Sequence, residues 1–123
     1  METASQTLGT IGEELAYQFL SGQGCKILLK NYECMLGEID LVAKEAGALV
    51  FIEVKTRSSC DYGNPAEAVT FAKRQQIVKI AKFYLKRYGI RDVACRFDVV
   101  SVVIPRIGDT EVRVIRNAFS EGE

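Results

Sequence analysis

Two apolar segments separated by a short polar stretch dominate the middle of this 123-residue chain. Residues 35–43 and 48–56 are rich in β-branched and aliphatic side chains, which predicts two strands. The residues from Lys44 to Ala48 suit a tight turn centred between Ala46 and Gly47. The two segments should therefore form an antiparallel hairpin in which Glu45 faces Ala48.

Charged side chains recur along both predicted strands of this hairpin. In the expected register Asp40 lies opposite Glu53, and Glu38 lies opposite Lys55. Opposed side chains have Cβ atoms about 4.5–5.5 Å apart, so two facing carboxylates repel unless a cation lies between them. Lys55 supplies part of that charge, and a divalent ion such as magnesium, which binds one or two protein carboxylates, would supply more. Strand alternation places these four side chains on one face. The opposite, buried face should carry Ile39, Leu41, Ile52 and Val54.

An ordinary solvated sheet face with cross-strand Glu–Lys pairs would give the same spacing. Two observations favour a functional site instead. Aspartate is depleted in strands, so Asp40 between Ile39 and Leu41 needs a reason. In addition, Glu53 and Lys55 lie in a run that is apolar enough to be a central strand.

The remaining pattern predicts two helices and three further strands. Gly22 to Gly24 end the first helix, and Gly89 ends the second. A polar loop over 58–65 precedes the second helix, and a break in that helix is considered near 71–74. The predicted bounds are a helix over 9–21, a strand over 25–32, a helix over 66–88, and strands over 96–104 and 111–117.

This order of elements predicts one α/β domain with a central mixed sheet of four to five strands. Helices should cover the sheet on one or both faces. The domain is expected to span residues 1–123 with a core over 9–117, leaving 1–8 and 118–123 flexible.

Composition narrows the chemistry that is available to the chain. It contains no histidine, so acid–base steps would depend on carboxylates, lysine or a metal-activated water. The amino-terminal residues lack a basic start and an apolar stretch, which predicts a cytoplasmic protein with no membrane partner. Four scattered cysteines lack zinc-site spacing and are expected to be reduced thiols. They are Cys25, Cys34, Cys60 and Cys95.

Charge is unevenly distributed although Lys plus Arg equals Asp plus Glu at 16 each. Residues 68–91 contain seven basic residues and no acidic one. Lys79, Lys82 and Lys86 share one helical face and, with Lys73 and Arg74, could contact phosphates. A solvated amphipathic helix is the alternative for this segment.

An Asp followed after about a dozen residues by Glu-x-Lys resembles the active-site pattern of the PD-(D/E)xK nuclease superfamily. More of the chain, from about residue 9 to 103, resembles the YraN family of small bacterial proteins, which is similar in fold to archaeal Holliday junction resolvases. The resemblance implies a restriction-endonuclease-like fold. It is carried by Gly12-Glu13, Ala16, Asn31, residues 37–41 and 51–57, Pro65, Ala68-Val69, Lys73 and residues 96–99.

The resemblance implies roles for individual residues in a nuclease site. Asp40 and Glu53 would be ligands of Mg²⁺ or Mn²⁺, and the backbone carbonyl of Val54 would be a third. Lys55 would orient the attacking water or stabilise charge on the phosphate. Glu13 matches the helix glutamate that completes the resolvase site.

Other residues have weaker implied roles. Glu38 would be a further metal ligand through water, or only a salt-bridge partner of Lys55. The predicted nucleic-acid contacts are Arg57, Lys73, Arg74, Gln75 and Lys79, with Gln76 as a weaker one.

The sequence thus predicts a metal-dependent DNA endonuclease that acts on duplex or branched DNA. Resolution of branched DNA needs two active sites, so such a role implies a homodimer. One alternative is a nucleic-acid-binding module that keeps the fold without cleavage, and another is a protein-interaction domain.

Overall fold

The computed structural model describes residues 4–59 and 69–121, and this part of the chain contains two helices and five strands. Residues 60–68, which include most of the predicted polar loop and the predicted start of the second helix, lie outside the described residues. The elements are α1 (Ala4–Gly22), β1 (Lys26–Cys34), β2 (Gly37–Glu45), β3 (Ala48–Arg57), α2 (Phe71–Arg87), β4 (Cys95–Val103) and β5 (Glu111–Phe119).

The five strands form one mixed sheet in the order β1-β2-β3-β4-β5. Only β3 and β4 pair in parallel, and the connection between them carries α2, as a parallel crossover requires. The other neighbouring pairs are antiparallel. The predicted α/β class with a mixed, helix-flanked sheet is therefore confirmed.

Helices cover both faces of the sheet. On the face covered by α1, Ala16 and Leu20 of the helix pack against sheet residues that include Leu41, Ile52 and Val100. The face covered by α2 is the larger core and contains Phe51, Phe97 and Val99 beneath the helix. Burial on two faces explains why the central strands read as almost continuous apolar runs.

A row of aromatic rings organises the face covered by α2. Phe97 and Phe119 stack with ring centroids 5.2 Å apart, and Phe119 is buried. This stacking fixes the end of β5 at Phe119, two residues beyond the predicted end of that strand at residue 117. The row continues through Phe51, Tyr84 and Tyr32.

The helix boundaries differ from the predicted ones. Helix α1 begins at Ala4 rather than Gly9. Helix α2 begins at Phe71, because Thr70 has an extended backbone and its side chain accepts a hydrogen bond of 3.2 Å from the amide of Lys73. Within the described residues, α2 therefore starts where a break was considered near 71–74.

The central hairpin has the predicted turn and register. Glu45 pairs with Ala48, and the pairing continues to Leu41 and Ile52. The two turn residues Ala46 and Gly47 have φ angles of 51° and 81°, as in a two-residue type I′ turn. This turn fixes the relative position of every residue further along the two strands.

Close contact with β3 fixes the position of α1. A Cβ atom on Gly12 would overlap Oγ1 of Thr56 and would lie 2.8 Å from its Cβ. Helix and strand therefore approach each other more closely than any side chain at position 12 allows.

We expect Gly12→Ala to lower the free energy of unfolding by about 1–3 kcal/mol, because the helix must move away from β3. Gly9→Ala is the matched control, since a Cβ at Gly9 meets nothing within 4 Å. It should raise stability by up to about 1 kcal/mol through helix propensity alone. Chemical denaturation of both variants measures the difference, and equal stabilities would contradict the close approach of helix and strand.

Candidate active site

The backbone pairing of the central hairpin stops before it reaches Asp40 and Glu53. The last pair is Leu41 with Ile52, and beyond it the amide of Val54 donates a hydrogen bond of 2.8 Å to Oδ2 of Asp40. The Asp40 carboxylate thus takes a place that a backbone carbonyl would have in a continued ladder. The predicted register therefore holds for the hairpin, but the strand-pair geometry predicted for Asp40 opposite Glu53 is wrong.

The alternation of side chains along β2 also breaks at Asp40. Ile39 packs in the core under α2, whereas Leu41 packs in the core under α1. Residues two positions apart share a face in a regular strand, so β2 must be irregular between them and its side chains must switch face there. The prediction that Ile39 and Leu41 share one buried face is therefore wrong.

A matching irregularity lies in the neighbouring strand β1. The β1–β2 register pairs Lys30 with Leu41 and Tyr32 with Ile39. Asn31 lies between the two paired residues of β1, in the position opposite Asp40. Asn31 has a φ of 52°, in the left-handed region that asparagine tolerates better than most residues. Its part in forming the site was not predicted, although an asparagine inside a strand is a signal of such a kink.

Carboxylates from three elements meet where the side chains of β2 switch face. Oxygen atoms of Glu13, Glu38 and Asp40 all lie within 4.8 Å of one another. The side chain of Glu53 contacts Asp40 from β3. All four predicted acidic site residues therefore meet around Asp40, and Glu38 is a full member of the cluster rather than a marginal one.

Crowding of like charges changes the protonation of this cluster. Burial, followed by the nearby Asp40, raises the pKa of Glu53 to about 8. Burial and the carboxylates of Asp40 and Glu38 also raise the pKa of Glu13. The pKa of Glu38 is raised by burial and by Asp40, while Lys73 opposes the shift. These carboxyl groups therefore keep their protons to a higher pH than free carboxyl groups, because too little positive charge lies near them to balance the ionised forms.

Lys55 lies on the same cavity as the acidic cluster. This cavity, about 260 Å³ in volume, separates the amino-terminal half of α1 from the end of β3, and Glu13, Asp40, Glu53 and Val54 line it with Lys55. It thus combines carboxylates and an ammonium group at one opening. The backbone carbonyl of Val54 as a ligand stays a prediction.

A second cavity of about 270 Å³ shares Glu13 and Asp40 with the first and extends toward β1. Its lining includes Lys30 and Asn31. Lys30 forms a salt bridge of 3.3 Å with Glu14, so its charge is already balanced. Lys55 is therefore the better placed cation for an anionic ligand.

The predicted nucleic-acid contacts on α2 differ in their distance from the site. The positive charge of Lys73 opposes the rise in the pKa of both Glu38 and Glu53, so this lysine lies near enough to act on both carboxyl groups. Gln75 and Lys79 are exposed on the helix.

Two predicted arginine contacts are engaged within the fold. Arg57 donates a hydrogen bond of 3.5 Å to the hydroxyl of Ser101 on the adjacent strand. Arg74 donates one of 2.9 Å to the carbonyl of Val69, and its guanidinium lies 5.8 Å from the ring centroid of Phe119. Both side chains are half-buried, so packing and capping account for their positions.

Comparison with known proteins identifies the family. The profile of the uncharacterised protein family UPF0102 matches residues 12–102. The chain belongs to this family. A UPF0102 protein of Desulforapulum autotrophicum is 46% identical over 119 residues, which cover 97% of this chain and 98% of that protein. One of Caldanaerobacter subterraneus subsp. tengcongensis is 45% identical over 116 residues, covering 93% and 95%.

The family match includes every residue of the acidic cluster and Lys55. A further relative, a UPF0102 protein of Symbiobacterium thermophilum, is 45% identical over 115 residues, 94% of this chain and 98% of that protein. The predicted YraN resemblance is thereby confirmed, since this is the same family. Neither helix in the described ranges is long and apolar enough to cross a membrane.

We expect the metal-free UPF0102 protein to lose stability as pH rises from about 4.5 to about 8 through Glu53. The folded state keeps this carboxyl protonated up to its pKa of about 8, whereas the unfolded chain releases the proton near 4.5. Stability from this group is thus complete below pH 4.5 and is lost on passing pH 8.

Melting temperatures in chelator across this pH range test the prediction. Glu53→Gln should flatten the decline, while the exposed control Glu111→Gln should follow the parent protein. Adding Mg²⁺ should raise the melting temperature most at high pH. Identical pH curves for the parent and Glu53→Gln would refute the assignment.

Proposed function

We propose that this UPF0102 protein is a divalent-metal-dependent nuclease that hydrolyses phosphodiester bonds in DNA, including branched DNA. The observation that carries the proposal is the meeting of Glu13, Glu38 and Asp40 from α1 and β2, with Glu53 of β3 against Asp40. Lys55 lies on the same cavity. Carboxylates with an adjacent ammonium group suit a metal ion and a phosphate together.

The donor set fits a hard divalent cation. Carboxylate oxygens are the ligands that Mg²⁺ and Mn²⁺ prefer, and three of these side chains converge from two different elements. Asp40 and Glu53 would hold the ion, with Glu13 and Glu38 contributing from the α1 side. Such an ion would polarise the phosphate and lower the pKa of a water molecule.

Residues of the chain itself position these groups and stabilise charge. The hydrogen bond from the Val54 amide holds Oδ2 of Asp40 in place, which fixes the orientation of this carboxylate beside Glu13 and Glu53. Lys55 follows Glu53 by two residues on the same strand and would face the phosphate oxygens that gain negative charge in the transition state. Glu13 would close the opposite side of the cavity from a rigid helix.

The exposed side of α2 gives the DNA a path away from the site. Lys73 lies beside the carboxylates, and Lys79 and Lys86 continue along the helix on the solvent side. Lys82 forms an ion pair with Glu121, so it contributes less. At 1.5 Å per residue, the step from Lys73 to Lys86 spans about 20 Å, enough for several phosphates.

A cytoplasmic location and a homodimer on branched DNA are part of this proposal.

A nucleic-acid-binding module without cleavage is the second candidate. It is favoured by the fact that the basic side of α2 does not depend on the carboxylates. The metal and the reaction distinguish the two.

We expect the parent protein to cleave DNA in Mg²⁺ or Mn²⁺ and Asp40→Asn to abolish both cleavage and metal binding. Asparagine still accepts the hydrogen bond of Val54, so the hairpin should stay folded. Lys55→Ala should lower the cleavage rate by about 10²–10³-fold while metal binding persists.

The measurement is cleavage of duplex, flap and four-way DNA, with metal binding followed by calorimetry. Lys26→Ala and Glu111→Gln change exposed charges elsewhere and should behave as the parent. If Asp40→Asn cleaved at the parent rate, the site assignment would be wrong. DNA binding without metal-dependent cleavage by the parent would favour the second candidate.

Removing charge from α2 should weaken DNA binding and its dependence on salt. For Lys79→Gln with Lys86→Gln, we expect the slope of log affinity against log salt to fall by about 0.9 for each phosphate that the variant no longer neutralises. Lys44→Gln, an exposed lysine on β2, is the matched control. Unchanged slopes in the α2 variant would show that DNA follows another route.

A further inference from the structure

The turn between β1 and β2 exposes two apolar side chains next to the acidic cluster. Met35 is 87% exposed and Leu36 is 41% exposed. Glu38 of the cluster follows Leu36 by only two positions on the chain. Exposed apolar residues are common singly, but a pair at the tip of a hairpin beside a charged site is a specific feature.

The turn is held against α2. The side-chain amide of Gln76 donates a hydrogen bond of 3.0 Å to the carbonyl of Leu36. The next residue, Gly37, has a φ of 133°, and a Cβ there would lie 2.5 Å from Nε2 of Gln76 and 3.2 Å from Cδ1 of Ile80. Met35 is therefore presented to solvent by a fixed backbone.

The surroundings of the turn favour a polyanion as its partner. Gln76 is flanked on α2 by Lys73 and Lys79, each three residues away, and the whole of α2 lacks an acidic residue. Lys73 also lies beside the carboxylates. The turn thus contacts the basic helix and leads directly into Glu38 of the acidic cluster, so a nucleic-acid strand bound to both would meet it.

We propose that Met35 and Leu36 form a wedge that packs against DNA bases next to the scissile phosphate, where base stacking is already interrupted. Apolar side chains inserted between base steps must offset the cost of unstacking, which is smallest at a branch point, nick or bulge. The thioether of methionine adapts to an irregular surface. The wedge gives the proposed nuclease a preference for interrupted DNA, so it rests on the proposed function.

The experiment compares binding of four-way and nicked DNA with binding of a continuous duplex of the same sequence. We expect the double variant Met35→Ser with Leu36→Ser to weaken binding of interrupted DNA by about tenfold. This fold-change corresponds to the loss of roughly one buried apolar side chain from the interface. Binding of the continuous duplex should stay unchanged. Ile107→Ser is the matched control, because Ile107 is 92% exposed in a turn outside the site.

A fluorescent base analogue at the branch point reports the contact directly. Its emission should change on binding of the parent protein and of Met35→Leu, and should change less with Met35→Gln, which has a similar length but a polar end. Melting temperatures equal to that of the parent show that each variant is folded. The single Met35→Gln variant serves as the test if the double variant melts lower.

Equal affinities of the parent and the wedge variants for interrupted DNA would overturn the inference. So would an equal decrease in affinity for continuous duplex, or a loss of self-association in sedimentation, since the turn would then contact a second copy of the chain. Binding readouts separate this result from the proposed function. If the parent cleaves no DNA but binds interrupted DNA through Met35, the wedge is supported and the nuclease proposal fails.

Discussion

The hydrogen bond between the Val54 amide and the Asp40 carboxylate is the interaction on which the site depends. A hydrogen bond to a charged acceptor contributes about 1.5–3 kcal/mol, more than the backbone bond that it replaces. Because Asp40 takes this amide, the ladder between β2 and β3 ends at the pair of Leu41 and Ile52, although both strands continue beyond it. The other carboxylates meet around Asp40, at the point where this pairing ends.

The same bond explains why residues of opposite sheet faces reach one site. Because the side chains of β2 switch face at Asp40, Ile39 fills the core under α2 while Glu38 lies close to Glu13 of α1. The residue before Glu13 is Gly12, whose contact with Thr56 fixes the height of the helix above β3. Each acidic side chain is thus held by a helix or strand with a packed core beneath it, which limits movement of the site.

Sequence patterns predicted the hairpin because a two-residue turn sets the register of every following pair. They could not predict where the pairing ends, since that depends on one side chain competing with the backbone. For this reason Ile39 was placed on the wrong face. The proximity of Asp40, Glu53 and Glu13 was predicted, while the roles of these residues and of Glu38 as metal ligands stay predictions. A charge pattern also does not reveal that the guanidinium of Arg74 packs on Phe119 and donates to Val69, and its contact with nucleic acid stays a prediction.

The two ends of β2 argue that the acidic cluster is there for function rather than stability. At the far end, Glu45 accepts hydrogen bonds from Arg96 and Arg116, and its pKa is lowered, first by Arg116. Arg96 also pairs with the buried Asp98 at 2.9 Å. The fold can therefore balance carboxylates with arginines where stability is the only requirement. Around Asp40 the carboxylates instead face one another, and the raised pKa of Glu53 reflects a cost in folding free energy. A cost concentrated at one opening, beside a lysine and a basic helix, is expected where a cation and an anionic substrate complete the site.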